Sequence, residues 1–173
     1  DAGDIEVNTT DSVFVSSGSI LQATTLGQGD AGDITITAGD TVSFDGVRKF
    51  SLSELEFDIP SGALSLVLFG AIGKGGEINI QAQSLSLTNG AQLGTSTAGQ
   101  GNAGNIKINA TDSVFVNGGS VLQAITYGQG DAGDITITAG DQVSFDGVRT
   151  FSPIGTDLVA PSGASSSVGP SPR

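Results

Sequence analysis

AGDIEV at 2–7, AGDITI at 31–36, GGEINI at 75–80, AGNIKI at 103–108 and AGDITI at 132–137 are one pattern written five times: a small residue, a glycine, a polar residue and a short alternating run of β-formers. Successive starts are 29, 44, 28 and 29 residues apart, so the basic period is about 29 with one enlarged copy. Periods of roughly 20 to 50 residues belong to solenoids, propellers and arrays, whose copies bury their apolar faces only against one another.

Each period reads as three strands and no helix. In the first, Ile5–Asn8, Ser12–Val15 and Ile20–Thr25 alternate apolar with polar or carry β-branched residues, and Gly, Asn, Asp and Ser fall between them. Three short strands make one triangular coil, and coils stacked at ~4.8 Å let every strand pair with its equivalents above and below. A propeller blade would need about four strands, ~40 residues and aromatic signatures that this chain lacks. The expectation is therefore all-β, a parallel β-helix with three strands per coil and about five coils: 1–29, 30–73, 74–101, 102–130 and 131–161.

Stacking turns equivalent positions into columns. The first strand supplies Ile5, Ile34, Ile78, Ile106 and Ile135, then Val7, Ile36, Ile80, Ile108 and Ile137. The second supplies Val13, Val42, Leu85, Val114 and Val143, then Val15, Phe44, Leu87, Val116 and Phe145. Every member is apolar, and ~1.5–3 kcal/mol for each fully buried side chain can offset the ordering of a glycine-rich chain.

A longer unit contains the short one. Residues 1–50 match 102–151 at a constant offset of 101, with 38 of the 50 positions identical, and the same offset carries PSGA at 60–63 onto 161–164. The enlarged coil holds an insertion, Val47–Ser61 (VRKFSLSELEFDIPS), and the last coil a matching one, Val148–Ser162 (VRTFSPIGTDLVAPS). Both are expected to leave one corner as loops, between the second and third strands, on the same face three coils apart. The Ser/Gly/Pro-rich stretch 162–173 is expected to be poorly ordered unless another coil follows.

Composition narrows the chemistry. The 173 residues include 27 Gly and one Tyr but no Trp, Met, Cys or His, so a core must be built from Ile, Val, Leu and Ala. The absence of Cys and His removes disulfides, thiolate metal sites, the commonest general base and the commonest transition-metal ligand. A net charge of −12 repels phosphate backbones and anionic lipid alike, which argues against nucleic acid as a partner. The longest mostly apolar run, Leu64–Ile72, is interrupted by Ser65 and Gly70 and falls far short of the ~20 residues of a membrane span, so no membrane insertion is expected. With Asp1 first and no basic-then-apolar leader, the chain reads as a piece of something longer.

GNAGNIKI at 101–108, GDAGDITITAGDQVSFDGV at 130–148 and GGEINIQAQSLSLTNGAQL at 75–93 resemble the repeats of filamentous haemagglutinin-like exoproteins, the passengers of two-partner secretion, especially the large cyanobacterial ones. The resemblance covers nearly the whole chain. It implies a right-handed β-helix, a secreted or cell-surface location, and adhesive or extracellular-matrix roles. The family's Asn-Pro-rich secretion domain is absent, so the chain corresponds to shaft.

On these grounds the expected function is a structural and adhesive segment that attaches to extracellular polysaccharide or a cell-surface protein, or self-associates into fibres, without catalysis and without a cofactor. A sheath or surface-layer building block is an alternative. So is a β-helical polysaccharide lyase or hydrolase, for which Asp45 with Arg48, and Asp146 with Arg149, are the only acid–cation pairs close enough in sequence to test.

Candidate sites compete with simpler readings. Asp/Asn pairs mark each coil start, and Asp30, Asp33, Asp131 and Asp134 could hold calcium between coils; turn chemistry explains them without metal, and Asn102, Asn105 and Lys74 interrupt the acidic columns. Gly27, Gly29 and Gly32 echo a phosphate loop, but no helix follows. The insertions carry unusual apolar and cationic content: Arg48, Phe50, Leu52, Leu55 and Phe57 in one, Arg149 and Phe151 in the other. These are the partner-binding candidates, against the alternative that they fold down over the second β-face.

Overall fold

The computed structural model describes residues 1–52, 55–152 and 157–169, with the backbone alone at 52 and 55. Among them there is no helix. The first repeat forms β1 (Ile5–Thr9), β2 (Val13–Ser16) and β3 (Ile20–Thr25). The second forms β4 (Ile34–Ala38) and β5 (Thr41–Asp45), departs through β6 (Val47–Leu52) and β7 (Leu55–Pro60), and returns as β8 (Gly62–Val67). The third comprises β9 (Ile78–Ala82), β10 (Ser84–Thr88) and β11 (Gln92–Thr97), and the fourth β12 (Ile106–Ala110), β13 (Ser113–Asn117) and β14 (Val121–Thr126). The last holds β15 (Ile135–Ala139), β16 (Gln142–Asp146), β17 (Val148–Phe151), β18 (Leu158–Pro161) and β19 (Gly163–Val168).

Three five-stranded parallel sheets result, ordered β1-β4-β9-β12-β15, β2-β5-β10-β13-β16 and β3-β8-β11-β14-β19. Each sheet takes one strand from every repeat in turn. Registers match the columns read from the sequence: Ile34 pairs with Ile5 and Ile78, Ile106 with Ile78 and Ile135, and Leu85 with Val42 and Val114. One continuous core collects side chains from all three sheets, including Ile34, Ile106, Phe44, Leu87, Leu93 and Leu122. The columns are dry in the middle and open at the ends. Val143 and Phe145 remain 43% and 42% exposed because β16 has a covering strand on one side only.

Two expectations change. Strand β19 occupies Gly163–Val168, inside the stretch expected to be poorly ordered, and pairs along its whole length with β14. Serine and glycine suffice there because the parallel ladder uses backbone groups, and the apolar-poor strand lies at an exposed end. The insertions, expected as loops, are antiparallel hairpins: β6 with β7, pairing Phe50 with Phe57, and β17 with β18. Residues 153–156 and 170–173 lie outside the described residues, as do the side chains of the candidates Leu52 and Leu55.

The third sheet adds something that composition did not announce. Its inward positions include Ser65, Thr95, Thr97 and Thr126, all fully buried. Ser65 Oγ donates to the Gly32 carbonyl at 3.0 Å and accepts from the Gly76 amide at 2.9 Å, Thr95 Oγ1 donates to the Gly104 carbonyl at 2.5 Å, and Thr126 Oγ1 donates to the Asp131 carbonyl at 2.7 Å. These hydroxyls thus satisfy backbone groups of the turns that lead into first-sheet strands: Ser65 those before both β4 and β9, Thr95 that before β12 and Thr126 that before β15. No buried side-chain polar atom among the described residues lacks a partner, as a dry interior requires.

Ile106 sits mid-column and fully buried, whereas its neighbour Lys107 points outward. Ile106→Asp should therefore unfold the chain or remove more than about 4 kcal/mol of stability, while Lys107→Asp should change it by less than about 0.5 kcal/mol. Urea melts followed by circular dichroism measure both. Equal effects would mean that the inward and outward faces have been exchanged.

Candidate functional site

The hairpins share one base. Gly46 and Gly147 end the second-sheet strands at positive φ, and their carbonyls accept from the amides of Ser61 and Ser162 at 2.9 and 3.0 Å. Ser61 Oγ donates to the Asp45 carbonyl at 2.7 Å and accepts from the Gly18 amide at 2.9 Å; Ser162 repeats both bonds with Asp146 and Gly119. A serine clasp at each base thus ties its hairpin to the repeat before it. Gly18 and Gly119 lie under the hairpins, where an added Cβ would come within 2.4 Å of the Cβ of Arg48 and Arg149 respectively.

Three repeats separate the two hairpins, ~14 Å at the ~4.8 Å strand spacing. That gap is bridged: a guanidinium nitrogen of Arg149 donates directly to the Asp58 carboxylate on the first hairpin, and both side chains are only about one-fifth exposed. The same guanidinium lies 5.6 Å from the centre of the Phe151 ring, in cation–π range. On the outer side Lys49 and Glu56 approach to 3.8 Å. Enclosed between them is a cleft of about 400 Å³. Its walls are hairpin residues, Phe57 and Phe151 among them, and its floor is third-sheet surface at Gln92, Val121 and Gln123.

Of the partner-binding candidates, the structure brings Phe57, Arg149 and Phe151 together at this cleft. Phe50 is half-exposed and outside it, and Arg48 is exposed with no ion pair among the described residues. The cleft between the hairpins opens onto third-sheet surface at Gln92, Val121 and Gln123. Asp58, Gln92 and Gln123 were not singled out from sequence. The offset of 101 places the hairpins three repeats apart, but does not reveal that Arg149 reaches Asp58. The backbone register equates Asp58 with Val159, so the second hairpin offers no matching carboxylate and Arg48 has no counterpart in the bridge.

The two acid–cation pairs weighed for catalysis do not form. Asp45 accepts from Thr88 Oγ1 and from Asn89 Nδ2 at 2.8 Å, while Asp146 Oδ1 accepts from the Gly147 amide at 2.7 Å and Arg149 turns to Asp58.

Two of the four calcium candidates accept backbone bonds from the next repeat. Asp30 Oδ1 accepts from the amide of Lys74, and Asp33 Oδ1 from that of Glu77, both at 2.7 Å. Asp1 and Asp4 bond the amides of Asp30 and Asp33 in the same way, and Asn102 and Asn105 those of Asp131 and Asp134. Asp1, Asp4, Asp30, Asp33, Asn102 and Asn105 thus tie their repeats to the next, a task in which either residue type serves because only the acceptor oxygen is used. The carboxylates of Asp131 and Asp134 receive no such bond among the described residues. Among the described residues no group of three or more acidic side chains converges.

No protein-family model, curated protein or solved structure matches the chain.

Two outcomes follow from this geometry. Melting temperatures in millimolar calcium and in chelator should agree within a few degrees; a large calcium-dependent rise would show that the Asp columns bind metal. Gly119→Ala, which forces a side chain into positive φ against Arg149, should lower stability by about 1–3 kcal/mol. Gly163→Ala, in open space, should stay within about 0.5 kcal/mol in the same denaturant titration.

Proposed function

We propose that the chain is a segment of a right-handed parallel β-helix, three strands per coil, serving as the structural and adhesive shaft of a large secreted or cell-surface exoprotein of the filamentous haemagglutinin-like type. Parallel strands linked within one sheet cross over right-handedly in about 98% of cases. The shared core of three parallel sheets suits a stack of coils. The observation that carries the adhesive reading is the pair of hairpins raised at one corner, three repeats apart. A shaft needs no such excursions for stability, and repeating them at a fixed interval creates a regular series of contact points.

Such a series acts through number. Linked weak sites can exceed single-site affinity by roughly 10²–10⁴ without any new contact. Extracellular polysaccharide and cell-surface proteins are the partners in view. A β-helical lyase or hydrolase gains no support from Asp45 or Asp146, whose carboxylates are engaged with turn groups.

A tandem array of several 101-residue units should be retained on cells or polysaccharide-coated beads far more strongly than the present chain, and neither should release reducing or unsaturated sugar. Equal retention would remove the avidity argument. Sugar release abolished by Asp45→Asn or Asp146→Asn would establish the enzyme instead.

A further inference from the structure

We infer that the cleft between the two hairpins binds a short segment of an uncharged polysaccharide, an inference that takes its biological setting from the adhesive reading but its chemistry from the cleft.

Charge narrows the ligand first. Lys49 and Arg149 are opposed by Glu56 and Asp58, as an ion pair at 3.8 Å on the outer side and a direct contact within. The cleft is formally neutral on a chain of net charge −12. A polyanion is repelled by the chain and meets no surplus cation here, while a polycation would be held all over the surface in preference to this place. An uncharged occupant is the one the electrostatics leave.

Hydrogen-bonding capacity points to hydroxyls. Gln92 Nε2 donates to Gln123 Oε1 at 2.9 Å across neighbouring strands of the third sheet. That bond orients both carboxamides and leaves Gln92 Oε1 and Gln123 Nε2 without a partner among the described residues. One free acceptor beside one free donor matches adjacent hydroxyls, each of which both donates and accepts.

The aromatic wall suits a sugar ring. Phe57 lines the cleft and is 49% exposed, and Phe151 is held by the Arg149 guanidinium. An aromatic face is electron-rich and complements the polarised C–H face of a sugar, whose edge would meet the carboxamides. Size favours the same class. A protein partner needs about 800 Å² per side for a stable interface, whereas a cleft of about 400 Å³ lies in the range of roughly 300–1,000 Å³ typical of small-ligand sites.

The experiment is calorimetric or NMR titration of this chain with neutral oligosaccharides of glucose, xylose, mannose and galactose, and with an oligouronate as the acidic arm. At least one neutral series should bind with Kd below about 10 mM, the oligouronate at least tenfold more weakly. Phe57→Ala and Gln123→Ala should each weaken binding by about tenfold or more at unchanged melting temperature. Gln123 lies on a sheet strand, so its variant keeps the test decisive if Phe57→Ala loosens the hairpin. Absence of binding by every neutral oligomer up to about 10 mM, tighter binding of the oligouronate, or parental affinity in both variants overturns the inference. The adhesive reading fails separately. If tandem arrays carrying Phe57→Ala in every unit are retained like the parent, adhesion stands and the cleft is not its seat; if the single chain titrates but arrays are not retained, the site stands without the adhesive role.

Discussion

Every strand in the body of this molecule is hydrogen-bonded to its equivalent one repeat away, and that in-register parallel ladder is the constraint from which the rest follows. A ladder tolerates no change of path length within a strand, because a one-residue slip would send each inward side chain to solvent. Length can vary only where the chain leaves the sheets. The second and last repeats accordingly carry their hairpins at the corner between β5 and β8 and the corner between β16 and β19, and re-enter the third sheet in register. The same constraint explains the Asp and Asn pairs. A side-chain oxygen at a turn faces the equivalent amide of the next repeat, so the first, second and fourth copies each present acceptors to the amides of the copy that follows.

The core has two chemistries because its sides have two kinds of neighbour. The first and second sheets contribute Ile, Val, Leu and Phe columns that meet other apolar side chains in the shared core. Several inward residues of the third sheet approach the turns that lead into first-sheet strands, where carbonyls need donors; Ser65, Thr95 and Thr126 stand there, and their hydroxyls complete those turns. An apolar residue in their place would leave a buried carbonyl without its partner, at a cost of about 1–3 kcal/mol each.

The hairpin cleft shows how a periodic scaffold makes a non-periodic site. The serine clasps and the glycines beneath the two hairpins are duplicated, so the bases are equivalent. Beyond the base the hairpins diverge: Asp58 faces Arg149 across the gap, and Val159 occupies the equivalent of Asp58. One bridge therefore forms, and its direction along the stack is set. Arg48 is left at the opposite side, exposed, where it repeats the position of Arg149 without the carboxylate to meet it.

The amino-acid sequence by itself determined the repeat length, the all-β class, the strand register and the identity of the inward columns, because each of these follows from periodicity and each repeat makes the same contacts. It placed the insertions at one corner for the same reason. Residues acting through non-periodic contacts needed the tertiary structure. The hairpin form of Val47–Ser61 and Val148–Ser162, the strand at Gly163–Val168, the pairing of Arg149 with Asp58 rather than Asp146, and the orienting bond between Gln92 and Gln123 all depend on groups brought together from different parts of the chain. Ser and Thr in the interior were hidden for a related reason: a hydroxyl alternating with apolar residues reads as outward-facing, and only the position of the neighbouring turn decides that it points in.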